Sequence, residues 1–304
     1  MNYRYRSFFW PAVLIVIGVF ALLVNSRLVP VERLDRLADL WPLILVVIGL
    51  ELLVRRALRG ATADIAAALI VLLAIGGAAA YVALGPSVPT GTQTLDSTAK
   101  VGEISTATAR VDAGGASITM RGGASIGDDL YRAHVEYTGR KPDISLDTSN
   151  GELHISQSNT SGFFFQSRRF VLDLQLNPNV RWKIVENTGA VSDVFMLSTI
   201  QVASIELNTG ASQEEISLGA PRGTVPITIN GGALTVNVHR PPGVPASAAV
   251  SGGAVTLSFD GRQSKAVGSV TERSSDYDTA SDRYRIQVDG GACNVTVDTR
   301  APTP

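Results

Sequence analysis

The chain has 304 residues, of which 29 are glycine and one is cysteine, and its formal net charge at pH 7 is -1. So small a net charge excludes an overall electrostatic field that recruits nucleic acid, and a single cysteine excludes an intramolecular disulfide and a multi-cysteine metal site. Nearly all of the apolar excess precedes residue 86, while the rest is rich in Ser, Thr, Gly, Val and Asp. The composition therefore predicts a membrane part followed by a soluble part.

Two short apolar segments near the amino terminus predict membrane-spanning helices. Residues 8–24 carry no charge and are close to the lower length limit for crossing a hydrocarbon core roughly 30 Å thick. No small-residue cleavage pattern follows, so we interpret this segment as an uncleaved anchor rather than a signal peptide. Residues 40–54 form the second segment and contain Glu51, for which we expect an interfacial ion pair with Arg55 rather than a proton-relay role.

The two segments are copies of one another. Each starts with Trp-Pro, at Trp10 and Trp41, and continues through Ile-Gly to Leu-Leu-Val. A Trp at the headgroup level and a Pro in the first helical turn are typical of a membrane anchor. We therefore predict that Trp10, Trp41, Arg55 and Arg56 lie at the membrane interface. Residues 31–39, between the copies, predict a short helix on the membrane surface.

A third and longer apolar run predicts the orientation of the chain. Residues 61–85 are long enough to span a bilayer. Arg4 and Arg6 precede the first span and an arginine cluster that includes Arg56 precedes the third, so the positive-inside rule favours a cytoplasmic amino terminus. We expect a multi-pass protein of the cytoplasmic membrane whose carboxy-terminal domain is extracytoplasmic. The predicted organisation is a duplicated transmembrane hairpin at 1–60, a third helix at 61–85, a linker at 86–99 and a β-repeat domain at 100–300.

A glycine-marked unit recurs seven times after the linker. Each copy has a hydrophobic residue, one or more polar residues, a glycine, a small residue and then an alternating strand. The basic period is about 21 residues, and three of the gaps carry an insertion. The marking glycines are Gly115, Gly151, Gly189, Gly210, Gly232, Gly253 and Gly291.

A period of about 21 residues accommodates two short strands and two turns, which is one coil of a β-solenoid. The unit that follows Gly232 illustrates the pattern, with a strand at 233–238, a turn at 241–243 and a returning strand at 247–250. We expect glycine at the reversals because it tolerates positive φ and close stacking of neighbouring coils. The predicted fold class is mixed: three transmembrane α-helices and an all-β domain, a β-solenoid-like stack, with a β-sandwich as the alternative.

These residues carry a resemblance to known families. The paired Trp-Pro segments resemble the transmembrane region shared by LiaI and LiaF proteins. The glycine-marked repeats, with the strand at 170–176 and the terminal segment 286–291, resemble the toast-rack domain of LiaF-like and adhesin-like proteins. The resemblance implies a bacterial protein that senses or restrains the response to cell-envelope stress by contacting a membrane partner such as a sensor kinase. This chain has two rather than four of the short spans, and the resemblance supplies no catalytic residues.

The candidate chemical groups are scattered along the soluble part. A carboxylate site of the kind found in carbohydrate enzymes could be formed by Asp128, Asp129 and Arg132. Such a site requires that the fold bring these residues together, and a contact with Asp173 would support it. An acidic ladder at one repeat position predicts a solvated edge, with members Asp112, Asp147, Glu186 and Asp289. Three histidines lie in different units, where we expect solvent-facing strand positions rather than a zinc site: His134, His154 and His239. We predict neither a metal nor a cofactor.

The run from Phe163 to Phe165, followed by Arg168 and Arg169, is the candidate interaction surface. Because three consecutive aromatic residues cannot all face one side of a strand, we expect at least one of Phe163, Phe164 and Phe165 to be exposed. The flanking arginines favour a membrane surface or a partner, while a loop that covers an end of the solenoid is the alternative. Cys293, Trp182 and Tyr284 are expected to pack in the core or on the sheet.

Two functions of different classes follow from the sequence. The first is a non-enzymatic, membrane-anchored protein that senses or regulates cell-envelope stress through protein contacts, with the bilayer and a membrane or envelope protein as partners. The second is an adhesin-like binding module for envelope polymer or protein, for which the spans are only a tether. A carbohydrate-active enzyme is a third alternative, and a homo-oligomer stays open.

Overall fold

The computed structural model describes residues 91–123, 126–157 and 169–300, together with eight isolated helical positions: 46, 49, 50, 53, 70, 73, 74 and 77. Among these described residues, none belongs to a helix with the length and apolarity that crossing a bilayer requires. The three predicted spans otherwise lie outside the described residues. The chain divides into two compact units, of which the second comprises Gly91–Asn159 and Arg168–Pro304.

The second unit is all-β in its described residues, which form one mixed sheet. Its strands are β1 (Gln93–Lys100), β2 (Thr106–Gly122), β3 (Asp129–Tyr137), β4 (Asp143–Asp147), β5 (Glu152–Ser156), β6 (Phe170–Leu176), β7 (Arg181–Leu197), β8 (Gln201–Leu218), β9 (Thr224–Arg240), β10 (Ala246–Phe259), β11 (Arg262–Arg273) and β12 (Arg283–Thr299). Strand β1 occupies much of the segment whose composition predicted a linker. Its Leu95 and Ala99 alternate with polar residues and pack against the core, which explains why a polar segment is a strand.

The sheet order is β1-β3-β6-β2-β7-β8-β9-β12-β10-β11, and the β4–β5 hairpin lies beside β2. The central strands β2, β7, β8, β9, β12 and β10 pair in parallel, whereas the strands at both ends of the order pair antiparallel. Corresponding positions of neighbouring parallel strands follow the predicted period. Leu197 pairs with Leu218, 21 residues later, and Ser217 pairs with His239, 22 residues later.

Each long strand must bend back on itself. An extended strand of the 17 residues of β7 would be roughly 56 Å long. Yet β8 begins at Gln201, after a connection of three residues that spans at most roughly 14 Å, and Gln201 pairs with Arg181 at the start of β7. Strand β7 therefore forms two legs, and one long strand with its connection is one coil. This arrangement matches the predicted coil of two short strand segments and two turns. It differs from the alternative β-sandwich, in which hairpins would connect antiparallel strands.

The burial pattern places the bend at the glycines. Along β7 the inward positions are even-numbered from 182 to 188 and odd-numbered from 191 to 197, with two consecutive exposed residues, Gly189 and Ala190, between the legs. The same change of phase occurs at the glycines of β8, β9, β10 and β12. The inward side chains of both legs join one hydrophobic cluster. The core therefore lies between the two legs of every coil.

The corner glycines are needed for close approach rather than for positive φ. None of the glycines at these bends has a positive φ, which corrects part of the reason given from the sequence. A β-carbon on Gly189, Gly210, Gly232 or Gly291 would lie 2.3 to 2.8 Å from the carbonyl oxygen of a glycine in the neighbouring coil. Real side chains essentially never approach backbone so closely, so the stack of corners excludes any larger residue there.

Two of the seven predicted copies are placed differently from a simple stack. The copy at Gly151 is the turn between β4 and β5, where Gly151 has a φ of 68°. Strand β12 lies between β9 and β10, so Gly290 pairs with Gly231 on one side and with Gly252 on the other. The segments at 233–238 and 247–250, which illustrated one coil, therefore belong to strands that do not pair with each other.

The expected core residues are buried. Trp182 and Tyr284 are 0% and 1% exposed, and Cys293 is 4% exposed. The Trp182 indole N–H donates to the carbonyl oxygen of Asn177 at 2.9 Å, and the Tyr284 hydroxyl donates to that of Gly219 at 2.8 Å. Each large aromatic residue thus buries its ring while its polar atom keeps a partner.

Candidate functional site

Four of the five residues of the candidate interaction surface lie outside the described residues: Phe163, Phe164, Phe165 and Arg168. Arg169 is described, at the start of β6, and its guanidinium donates two hydrogen bonds to Glu136 Oε2, at 2.9 Å and 3.2 Å. Its backbone N–H donates to Thr138 Oγ1 at 2.8 Å. Arg169, the residue that precedes β6, is therefore tied to strand β3. The predicted interface anchors Trp10, Trp41, Arg55 and Arg56 also lie outside the described residues.

The carboxylate site considered from the sequence is divided between two separate ion pairs. Asp129 accepts from Arg132 Nε at 2.8 Å and lies 2.8 Å from Lys100 Nζ. Asp173 instead accepts from Arg121 Nη2 at 2.6 Å, and its register partner on β3 is His134. The Lys100 and Arg132 bonds hold the pKa of Asp129 below its usual range. Asp129 and Asp173 thus each pair with basic side chains and not with one another, which is not the arrangement of two carboxyls poised for acid and base catalysis.

The three histidines do not converge on one site. His134 Nδ1 lies 2.5 Å from Asp96 Oδ1, between β3 and the edge strand β1. His154 Nε2 lies 2.6 Å from Asp112 Oδ2, between β5 and β2. Within the described ranges, no group of three or more His, Cys, Asp or Glu residues is arranged to hold a metal ion.

His239 contradicts the expectation of a solvent-facing histidine. Its side chain is 5% exposed, with Nδ1 2.5 Å from Asp298 Oδ1 and Nε2 2.7 Å from Glu215 Oε1. Because these residues belong to β9, β12 and β8, the ring joins three neighbouring coils. This arrangement is a structural clasp at the carboxy-terminal ends of the coils.

The predicted acidic ladder is replaced by a column that consists mainly of amides. Asn230 Nδ2 donates to Asn208 Oδ1 at 2.9 Å, Asn208 Nδ2 donates to Asn187 Oδ1 at 3.1 Å, and Asn187 Nδ2 donates to Asp112 Oδ1 at 2.6 Å. The register continues the column to Asp289. Of the other predicted members, Asp147 lies in β4 and Glu186 points into the core. An amide both donates and accepts, so it can repeat along a column in which adjacent carboxylates would repel.

Three buried carboxyl groups are the feature that the sequence interpretation missed. Glu186, Asp193 and Glu214 are 0%, 1% and 0% exposed. Burial raises the pKa of all three, to about 7 for Glu186, and for Glu186 and Asp193 the neighbouring carboxylates raise it further. A signal existed: three residues before the corner glycine, Glu186 takes the place that Leu207 holds in the next coil, and the two pair in register.

Two protein families match the chain. The LiaI-LiaF-like transmembrane region matches residues 8–53, and the N-terminal domain of toast_rack, DUF2154, matches residues 87–239, which is half of the chain. Both resemblances drawn from the sequence are thereby confirmed, in the same order along the chain. No curated protein matches.

A solved structure shares the fold of the second unit. A candidate cell adhesion protein from Clostridium sporogenes is similar with a TM-score of 0.57 and 16% identity, over 69% of this chain and 100% of that chain. A candidate adhesin from Bacteroides fragilis has a TM-score of 0.24 and 10% identity, over 70% of this chain and 100% of that one, and carries no argument. At 16% identity, the first likeness shows the fold alone.

Proposed function

The chain belongs to the family of the toast_rack N-terminal domain, and we propose that it is a non-enzymatic, membrane-anchored protein that senses or regulates cell-envelope stress through protein contacts. The order of its parts carries this proposal: a LiaI-LiaF-like transmembrane region at 8–53 precedes an all-β domain in one chain. The matching families and similar structures are described as transmembrane, toast-rack or adhesion proteins rather than as enzymes.

The contacts of the described charged residues agree with a binding role. Asp129 pairs with Lys100 between β3 and β1, and Asp173 pairs with Arg121 between β6 and β2, so these carboxylates tie strands together instead of facing a reacting group. Polar columns such as that of Asn187 and Asn208 stiffen the stack. A rigid stack of coils is a suitable platform for protein contacts because its surface is ordered before binding.

We assign the partner contact to Phe163, Phe164, Phe165, Arg168 and Arg169. Arg169 supports this assignment because its guanidinium is exposed at the sheet surface, where it bonds to Glu136 of β3. The proposed partner is a protein of the membrane or envelope, such as a sensor kinase, and the proposed topology has three spans with the domain outside the cytoplasm.

An exchange of the membrane part tests this function. Residues 1–86 of the full chain are replaced by an unrelated anchor that keeps the domain on the same side, and the host's envelope-stress reporter is measured in a deletion strain. If the spans contact a partner, the intact chain restores regulation and the chimaera does not, although both reach the membrane at equal levels. Full restoration by the chimaera would refute the proposal.

An adhesin-like module is the second candidate, because the Clostridium sporogenes structure is described as a candidate cell adhesion protein. In that case the spans are only a tether, and the chimaera should function as well as the intact chain. The double substitution Phe164→Ser, Arg168→Glu tests the contact surface in either case, with Arg262→Glu on the exposed side of β11 as the matched control. A surface that contacts the partner loses regulation or binding only with the first variant.

A further inference from the structure

Strands β7 and β8 enclose three carboxyl groups in the apolar interior of the stack. Asp193 and Glu214 are register partners on the second legs of these strands, while Glu186 points inward from the first leg of β7. All three are essentially inaccessible to solvent. The same interior contains the hydroxyl groups of Thr188, which donates to Glu186 Oε1 at 2.8 Å, and of Ser212.

Among the described residues, no cationic side chain pairs with these carboxyl groups. The inward neighbours on either side are apolar: Val111, Ala113 and Ile118 of β2, and Ile229, Leu234 and Val236 of β9. The charged groups that act on Glu186 and Asp193 are only the other carboxyls of the cluster. Within the described part of the chain, no salt bridge reaches any of the three.

The hydrogen-bonding state of the cluster indicates that protons are bound. Six buried polar atoms of the cluster have no hydrogen-bond partner among the described residues: both oxygens of Asp193, both of Glu214, Oε2 of Glu186 and the hydroxyl of Ser212. Two carboxylates cannot bond to each other because each only accepts, whereas a protonated carboxyl donates. A buried ionised carboxylate without a partner is also far more costly than a neutral one.

We propose that Glu186, Asp193 and Glu214 form a proton-dependent lock between the β7 and β8 coils. When protonated, the three carboxyl groups bond to one another and to the nearby hydroxyls, and the two coils stay closed. When the medium becomes alkaline, ionisation places like charges in an apolar interior, and these coils open locally. The lock makes the domain responsive to the pH of the compartment that it faces, and it does not depend on which partner the domain contacts.

The direction of the pH dependence follows from the cluster. Burial raises the pKa of each carboxyl above its value in the unfolded chain, which is about 4 for these groups. Their contribution to stability is therefore complete below that value, falls as the pH rises above it, and is lost once the pH passes the folded values, the first of which is near 7 for Glu186. Most carboxylates in proteins act in the opposite direction, as the lowered pKa of Asp129 illustrates.

Hydrogen exchange of the full chain in detergent micelles tests the lock. We expect the protection of amides in β7 and β8, corrected for intrinsic exchange rates, to fall by about tenfold or more between about pH 5.5 and pH 8.5. The variants Glu186→Gln and Glu214→Gln should each flatten this fall, because an amide stays neutral. Glu206→Gln, at an exposed position of β8, is the matched control and should keep the fall of the native chain.

Measurements on the native chain keep the test independent of whether the variants fold. The infrared carbonyl band of a protonated carboxylic acid should be present at about pH 7 and disappear together with the protection. The proposal is overturned if the amides of β7 and β8 are equally protected from about pH 5.5 to about pH 8.5, or if the infrared band is absent. It is also overturned if the protection in both glutamine variants depends on pH as strongly as in the native chain. A loss of protection on adding a chelator at the alkaline end would also overturn it, because a bound cation would then be neutralising the cluster.

Discussion

Gly210 lies directly against the backbone of Gly189, and a β-carbon on Gly210 would be 2.3 Å from the Gly189 carbonyl oxygen. We expect Gly210→Ala to force neighbouring coils apart and to destabilise the domain by about 1–3 kcal/mol, the usual cost of overpacking. The alkylation rate of Cys293 in the full chain measures the effect, because this single thiol is 4% exposed and reacts when the coils open.

Gly115 provides the control at the corner of β2, one residue further along, where it pairs in register with Ala190. A β-carbon there would meet only the carbonyl oxygen of Ala190, at an ordinary 3.8 Å, and Gly115 has no positive φ. Gly115→Ala should therefore change stability by less than about 1 kcal/mol. Equal effects of the two substitutions would show that close contact at the corner is not what requires glycine.

The amide column makes a second prediction. Asn208 donates to Asn187 and accepts from Asn230, so Asn208→Ala removes two hydrogen bonds between coils. We expect a loss of about 1–2 kcal/mol, measured by the same Cys293 alkylation rate. Gln213→Ala, at an exposed position of the same strand, should have no measurable effect. If Asn208→Ala also left the alkylation rate unchanged, the amide column would not contribute to the stability of the domain.

The edge strand β1 should be more tightly held in acid. The bond to Asp96 raises the pKa of His134, so the pair stabilises β1 below the unfolded value near 6.5 and this contribution is lost as the pH rises through the folded value. Because both side chains are exposed, the pair is worth less than about 1 kcal/mol, and amide protection in β1 should fall by no more than about fivefold. Asp96→Asn should remove this fall in hydrogen exchange, whereas Asp128→Asn should keep it.

Labelling with an impermeant maleimide on intact cells tests the proposed topology. Single cysteines at Thr98 and at Arg59 are introduced in a Cys293→Ala background. Thr98 is exposed on β1, unlike its neighbour Ser97, whose hydroxyl bonds to that of Tyr131. Labelling at 98 but not at 59 is expected for an extracytoplasmic domain. The reverse pattern would place the domain in the cytoplasm.

The sequence alone determined the repeat, its period and five of the seven marked corner glycines, the exceptions being Gly115 and Gly151. These properties are local: a glycine, a small residue and an alternating strand can be read within one copy, and the two-residue alternation of each leg identifies most core residues, including Trp182 and Tyr284. Local patterns also identified the two families: the paired Trp-Pro segments indicated the LiaI-LiaF-like transmembrane region, and the glycine-marked repeats indicated the toast-rack domain.

Only the tertiary structure decided which copies are neighbours. Val288 of β12 lies between Ile229 of β9 and Val250 of β10, although β10 follows β9 in the chain. Most inward side chains of the copies are apolar, so the repeat pattern does not distinguish one stacking order of the copies from another. The clasp at His239 and the meeting of Asp193 with Glu214 depend on that stacking, because each joins residues that are distant in sequence and come together only when coils are aligned.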